Sequence, residues 1–155
     1  GESITNMNDL MREVIALAEV DARINDIGVH FQPCRNMPEV VVDSVQIQQV
    51  ALNLIRNAME SMNDVQSRQQ GVLVKTSYEH ELVNVEIIDS GHGVSEKERE
   101  NLFVPFFTTK SGGMGIGLSI CQSIIHSHGG EIGYRNNNDG LGSTFYFNLP
   151  SARLQ

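Results

Sequence analysis

Residues 43–62 read Asp43-Ser44-Val45-Gln46-Ile47-Gln48-Gln49-Val50-Ala51-Leu52-Asn53-Leu54-Ile55-Arg56-Asn57-Ala58-Met59-Glu60-Ser61-Met62. Ile47, Val50, Ala51, Leu54, Ile55, Ala58, Met59 and Met62 recur at the helical period of about 3.6 residues, and Asp43-Ser44 supplies a capping signal in front of them. The stretch predicts an amphipathic helix. Asn53 and Asn57 stand one turn apart and share a face of it. Asn57 is set among core positions, where an amide is costly unless something satisfies it.

Upstream, Met7, Leu10, Met11, Val14, Leu17 and Ala18 predict another amphipathic helix, with Thr5-Asn6 as its cap and an end near Asn25 to Gly28. Val29 to Gln32 alternates as a strand, and Pro33 and Pro38 bracket a turn. Downstream, Gly71 precedes two β-type runs, Val72 to Tyr78 and Leu82 to Asp89, joined by Glu79-His80-Glu81 as an antiparallel hairpin. Ser95 to Asn101 is expected to make a helical turn or two. Phe103 to Met114 lacks periodicity and carries one cation, Lys110, as a mobile loop would. Ile116 to Ile125 gives a further helix stopped by Gly129-Gly130. Glu131 to Asn136 and Ser143 to Leu149 close the chain as strands about the turn Asn137-Asn138-Asp139-Gly140. This order predicts an α+β two-layer sandwich, a mixed, mostly antiparallel sheet covered on one face by helices.

The 155 residues, 40% of them apolar, suit one domain over 1–155 with a core from about residue 5 to 150. A formal charge of −8 argues against a nucleic-acid partner or an anionic membrane surface, so no direct membrane contact is expected. The same charge repels nucleotides at long range. A phosphate site would therefore need local backbone amides, a metal and a few cations. Cys34 and Cys121, assigned to a strand and a helix, lack ligand spacing and are expected to be free, buried thiols. No apolar run reaches the about 20 residues of a membrane span and no signal peptide is evident, which points to a cytoplasmic domain whose parent can be membrane-anchored elsewhere.

Four clusters follow in fixed order: Asn53-Leu54-Ile55-Arg56-Asn57, Asp89-Ser90-Gly91-His92-Gly93, Gly113-Met114-Gly115-Ile116-Gly117-Leu118, and Gly140-Leu141-Gly142-Ser143-Thr144-Phe145. Together they resemble the N, G1, G2 and G3 boxes of the sensor histidine kinase catalytic domain, and Phe103 to Lys110 resembles its F box. That domain belongs to the superfamily shared with gyrase, the Hsp90 chaperones and MutL. Gln46 to Val50, Pro105 to Lys110 and Ser119 to Ile125 are similar to PAS-linked kinases, including the rhizobial oxygen sensors. The resemblance implies a Bergerat-type ATP-binding fold and a protein-histidine kinase that uses ATP and Mg²⁺. Its implied partners are a dimerisation and histidine phosphoacceptor domain of the same kinase and a downstream response regulator.

It further implies that Asn57 coordinates Mg²⁺ and that Asn53 supports the same cluster. Asp89, closing a strand before Gly91 and Gly93, would accept a hydrogen bond from adenine's exocyclic amine and meet an acceptor oxygen on guanine, favouring ATP. The two glycines let backbone approach the base. Gly113, Gly115 and Gly117 stand at the entrance to the helix expected near Ile116, where amides and the helix dipole favour phosphate, with Leu118 beside them. Lys110 can reach the γ-phosphate when its loop closes, although a solvated lid position is the alternative, and Arg56 is a second candidate cation. Many of these kinases carry a basic residue three positions after the metal asparagine, where this chain has Glu60. Thr144 and Phe145 back the site, and His126 and His128 read as structural residues.

Hydrolysing relatives and anti-sigma-type serine kinases resemble this chain but hold an acidic residue one turn before the metal asparagine. Here that slot is Asn53, and an amide cannot take a proton from water. A non-catalytic nucleotide-binding signalling module is the remaining alternative. None of the five histidines, His30, His80, His92, His126 and His128, has the surroundings of a phosphoacceptor, so the acceptor is expected on another domain.

Overall fold

The structure, a computed structural model, describes residues 1–62, 65–104, 114–138 and 141–154. Helices α1 (Met7–Ile24), α2 (Ser44–Glu60) and α5 (Met114–Ser127) form one layer. The other is a five-stranded sheet built from β2 (Val29–Gln32), β4 (Val72–Glu79), β5 (Leu82–Ile88), β6 (Glu131–Asn136) and β7 (Ser143–Pro150). The strand order is β2-β4-β5-β7-β6, with β2 parallel to β4 and every other pairing antiparallel. This is the two-layer sandwich that the element order implies.

Each long helix begins where its sequence offers a cap. The Asn6 side chain accepts the N–H of Asp9 ahead of α1, and the Asp43 carboxylate accepts that of Gln46 ahead of α2. Ile47, Val50, Ala51, Leu54 and Ile55 of α2 are fully buried against the sheet, which meets them with Val74, Val83, Val85, Ile87 and Phe147. Removing a side chain such as Leu54 from this layer costs about 2–5 kcal/mol. The inner row Val74, Ile87, Phe145 and Tyr134 crosses four strands in register and leads toward the end of β5 where Asp89 stands.

The β4–β5 hairpin turns on His80 and Glu81 alone, both with positive φ, and Glu79 pairs with Leu82. Four elements differ from the sequence expectation. Strands β1 (Ser3–Thr5) and β3 (Val40–Val42) make a separate antiparallel ribbon, and three residues are too few to display a period. Helix α3 (Val65–Gln70) has no apolar repeat to announce it. Helix α4 (Glu96–Arg99) is the expected short turn, closed by a Ser95–Glu98 capping box. Helix α5 starts two residues before Ile116, which moves Gly115 and Gly117 from the helix entrance into its first turns.

Both cysteines are free. Cys121 is buried in α5 as expected, but Cys34 lies beyond the end of β2 and is only partly covered. Pro33 ends the strand before it. Among the described residues no helix is long and apolar enough to cross a membrane.

Candidate nucleotide site

At the end of β5 the ladder runs one residue past the strand, because the Asp89 N–H donates to the Ser143 carbonyl at 2.9 Å. The Asp89 side chain is 1% exposed. Its Oδ1 accepts the N–H groups of Gly91 at 2.9 Å and Ser143 at 3.2 Å, and its Oδ2 accepts the Ser143 hydroxyl at 3.0 Å. A carboxylate offers about four acceptor positions, so Oδ2 keeps capacity for one more donor. Burial pushes the carboxyl above the ordinary range, while hydrogen bonds from Gly91 and Ser143 oppose the shift.

Asp89 forms part of the wall of a cleft whose empty volume is about 480 Å³, including open solvent. Asn57 and Ser61 come from α2, His92, Gly93 and Val94 from the loop after β5, Leu118 from α5, and Ser143 and Phe145 from β7. Leu102, beyond α4, adds a further apolar surface. The cleft thus gathers residues from all four motif clusters.

Asn57 meets the cleft with an orphaned atom. Its Oδ1 is a buried side-chain oxygen without a hydrogen-bond partner among the described residues, a situation that costs about 1–3 kcal/mol unless a ligand, ion or water supplies the missing contact. Asn53, one turn earlier, donates from Nδ2 to the Cys121 sulfur at 3.4 Å. Gly117 makes room for this amide, since a Cβ there would lie 2.5 Å from Asn53 Nδ2. Gly91 has a comparable reason to be glycine: a Cβ would collide with the Ser61 side chain and carbonyl at the end of α2.

Several expected residues take other places. Arg56 points across to α1, where Nε donates to Asp21 Oδ2 at 3.3 Å on the exposed surface. The helix turn that aims Asn57 into the cleft aims its neighbour Arg56 away, and Arg56 is absent from the cleft wall. Thr144, 2% exposed, gives its hydroxyl to Asn137 Oδ1 at 2.7 Å, because alternation along β7 turns Ser143 and Phe145 toward the cleft and Thr144 away. Lys110 and Gly113 lie outside the described residues, as does most of the expected lid. Ser61, His92, Leu102 and Ser143 are wall residues that the motif reading did not pick out. Ser61 carried a signal, four residues after Asn57 on the same helix face.

His128 is structural. Its Nδ1 donates to the Ile124 carbonyl at 2.7 Å and its Nε2 accepts the Asp43 N–H at 3.1 Å. His126 pairs with Glu131 on the surface. Among the described residues no cluster of three or more histidine, cysteine or carboxylate side chains could hold a metal.

Residues 42–153 match the family described as histidine kinase-, DNA gyrase B-, and HSP90-like ATPase. Sensor protein FixL of Bradyrhizobium diazoefficiens is 41% identical over 155 residues, 98% of this chain and 30% of that protein. The chain therefore spans about a third of the length of the curated relatives it matches. The solved catalytic domain of histidine kinase ThkA, nucleotide-free, is 34% identical with a TM-score of 0.84, over 97% of this chain and 96% of that one. Full-length ShkA in complex with AMPPNP is 25% identical with a TM-score of 0.84, over 98% of this chain and 31% of that one.

Proposed function

The chain belongs to the histidine kinase-, DNA gyrase B- and HSP90-like ATPase family, and from that premise we propose that it is the ATP-binding catalytic domain of a sensor histidine kinase. In this reading it binds Mg-ATP and delivers the γ-phosphoryl group to a histidine on a separate dimerisation and phosphoacceptor domain, from which a response regulator takes it. The observation that carries the reading is Asp89, a buried carboxylate on the wall of an open cleft with acceptor capacity to spare. The AMPPNP bound by ShkA supports a nucleotide as the ligand.

Asp89 takes the exocyclic amine of adenine, and the apolar surfaces of Val94, Leu102, Leu118 and Phe145 flank the base and exclude water. The orphaned Asn57 Oδ1 fits a hard cation that binds oxygen, and Asn57 would hold Mg²⁺ there, with Asn53 beside it. Bound Mg²⁺ supplies charge neutralisation at the phosphate oxygens. Gly113, Gly115 and Gly117 bring backbone to the phosphates, and Lys110 is the cation of the γ-phosphate. A partner imidazole nitrogen then forms the new P–N bond as the bond from phosphorus to the ADP oxygen breaks. The protein contributes position and charge rather than covalent chemistry.

Asn53 gives water no base, so hydrolysis is slow. The domain works on the cytoplasmic side, where ATP is found. Titration calorimetry with Mg-ATP and Mg-GTP tests the site: micromolar to millimolar binding of ATP with GTP at least tenfold weaker is expected, and equal affinities would remove the role given to Asp89.

A further inference from the structure

We propose that Tyr134 and Asn137, side chains of the β6–β7 hairpin, are positioning residues that clamp both ends of the loop 89–94 and so set where Asp89 meets the base. The proposal rests on the nucleotide reading above and adds residues which that reading does not use.

At the first end, Asn137 Nδ2 donates to the backbone oxygen of Asp89 at 2.8 Å and to the Leu141 oxygen at 2.9 Å. Its Oδ1 accepts the Thr144 hydroxyl at 2.7 Å. Three bonds therefore fix the Asn137 amide, and its orientation is set by Thr144, whose hydroxyl here acts on the loop through Asn137. At the second end, the Tyr134 hydroxyl accepts the Val94 N–H at 2.8 Å and donates to Asn136 Oδ1. The Tyr134 ring stands edge-on to Phe145 with centroids 5.1 Å apart, which holds the hydroxyl in place.

Between these ends the loop's own bonds are local: Gly91 N–H to the Asp89 side chain, and His92 Nδ1 to the Gly93 oxygen. Among the described residues, its other hydrogen bonds to the sheet run to Ser143. The hairpin also presses directly on the loop. Gly142 has φ of +75°, and a Cβ on it would collide with the Asp89 carbonyl. Neither Tyr134 nor Asn137 lines the cleft. Each acts through the loop and not on a ligand. Recognition by a fixed carboxylate depends on holding it within about 0.5 Å of its working position, and these two contacts are placed to do that.

The experiment uses the 155-residue chain as wild type, Tyr134→Phe and Asn137→Ala, with adenosine, magnesium-free ADP and Mg-ADP titrated into each and thermal unfolding recorded without ligand. Tyr134→Phe removes one oxygen and keeps the ring against Phe145, so it folds even where Asn137→Ala does not. The expected result is a fall of roughly five- to thirtyfold in affinity, by the same factor for adenosine and for Mg-ADP, because only the base end is disturbed. The increase that magnesium gives to ADP binding should stay at its wild-type factor, which a general loosening of the fold would not preserve. Unchanged adenosine affinity in Tyr134→Phe, or a loss confined to Mg-ADP, overturns the clamp while leaving the nucleotide site standing. A wild-type chain that binds neither ligand overturns the nucleotide reading itself, and the clamp with it.

Discussion

Nε2 of His128 accepts the backbone N–H of Asp43 at 3.1 Å, tying the end of α5 to the start of α2 across 85 positions of sequence. The ring's Nδ1 faces the Ile124 carbonyl, which can only accept, so Nδ1 carries the proton and Nε2 is free to accept. The neutral Nδ1–H tautomer satisfies both contacts. The two helices so joined are those that bring Asn57 and Leu118 to the cleft.

His128→Ala should lower stability by about 1–3 kcal/mol, since it leaves the half-covered Asp43 N–H without its acceptor, while the Ile124 carbonyl keeps the Ser127 hydroxyl and the backbone N–H of residue 128. Urea unfolding measures this. Nucleotide affinity of the folded fraction should change little, and a large affinity loss at wild-type stability would place His128 in the site instead.

Asp89→Asn should weaken Mg-ATP binding by at least tenfold, because an amide nitrogen presents a donor where the adenine amine also donates. Stability should respond with the opposite sign. Burial raises the folded carboxyl above its ordinary 3.8, so below that value both folded and unfolded chains are protonated and Asp89 imposes no penalty. As pH rises through 3.8 toward the folded value, the unfolded chain loses its proton first, and the contribution of Asp89 to stability falls until the native carboxyl has also ionised. The stability of Asp89→Asn relative to wild type should therefore grow over that window and then level off. Denaturant titrations of the nucleotide-free proteins across acid to neutral pH check this, and a difference independent of pH would contradict it.

Arg56→Gln should leave nucleotide affinity at the wild-type value and change stability by less than about 1 kcal/mol, the worth of an exposed ion pair. A tenfold loss of Mg-ATP affinity, read by calorimetry, would return Arg56 to the phosphate site and contradict its pairing with Asp21.

Gly117→Ala places a methyl 2.5 Å from Asn53 Nδ2 and must displace that amide. The displaced group is the end of a side chain, and alanine favours a helix by about 0.5–1 kcal/mol, so stability should hold. Phosphoryl transfer should fall by at least tenfold. A melting temperature down by many degrees with transfer unchanged per folded molecule would mean that Gly117 serves packing alone.

The parts legible in the sequence are those with a period or a cap long enough to repeat. Helix α2, with Asp43 in front and Asn53 and Asn57 on one face, reads directly from residues 43–62, and so does the alternation of β4 and β5. What escaped is short or relational. The ribbon of β1 and β3 exists because Ser3 to Thr5 finds Val40 to Val42 across the chain, and three residues carry no pattern of their own. Asn137 looks like any turn asparagine until folding brings it to the carbonyl of Asp89, 48 positions earlier. Thr144 and Ser143 exchange roles for a similar reason: the box marks the segment, but the parity of β7 decides which hydroxyl faces the cleft. Arg56 adjoins Asn57 in sequence and diverges from it by the rotation of one helical residue.

In the proposed function this chain holds ATP for transfer to a histidine that another domain supplies. The most direct measurement incubates it with γ-labelled ATP and magnesium, alone and with a helical phosphoacceptor domain of the same kinase. No label on the chain by itself, slow turnover, and an acid-labile phosphohistidine on the partner when both are present are expected. Robust labelling of the chain alone, or steady hydrolysis above about one turnover per second, within the ordinary enzyme range, would contradict it.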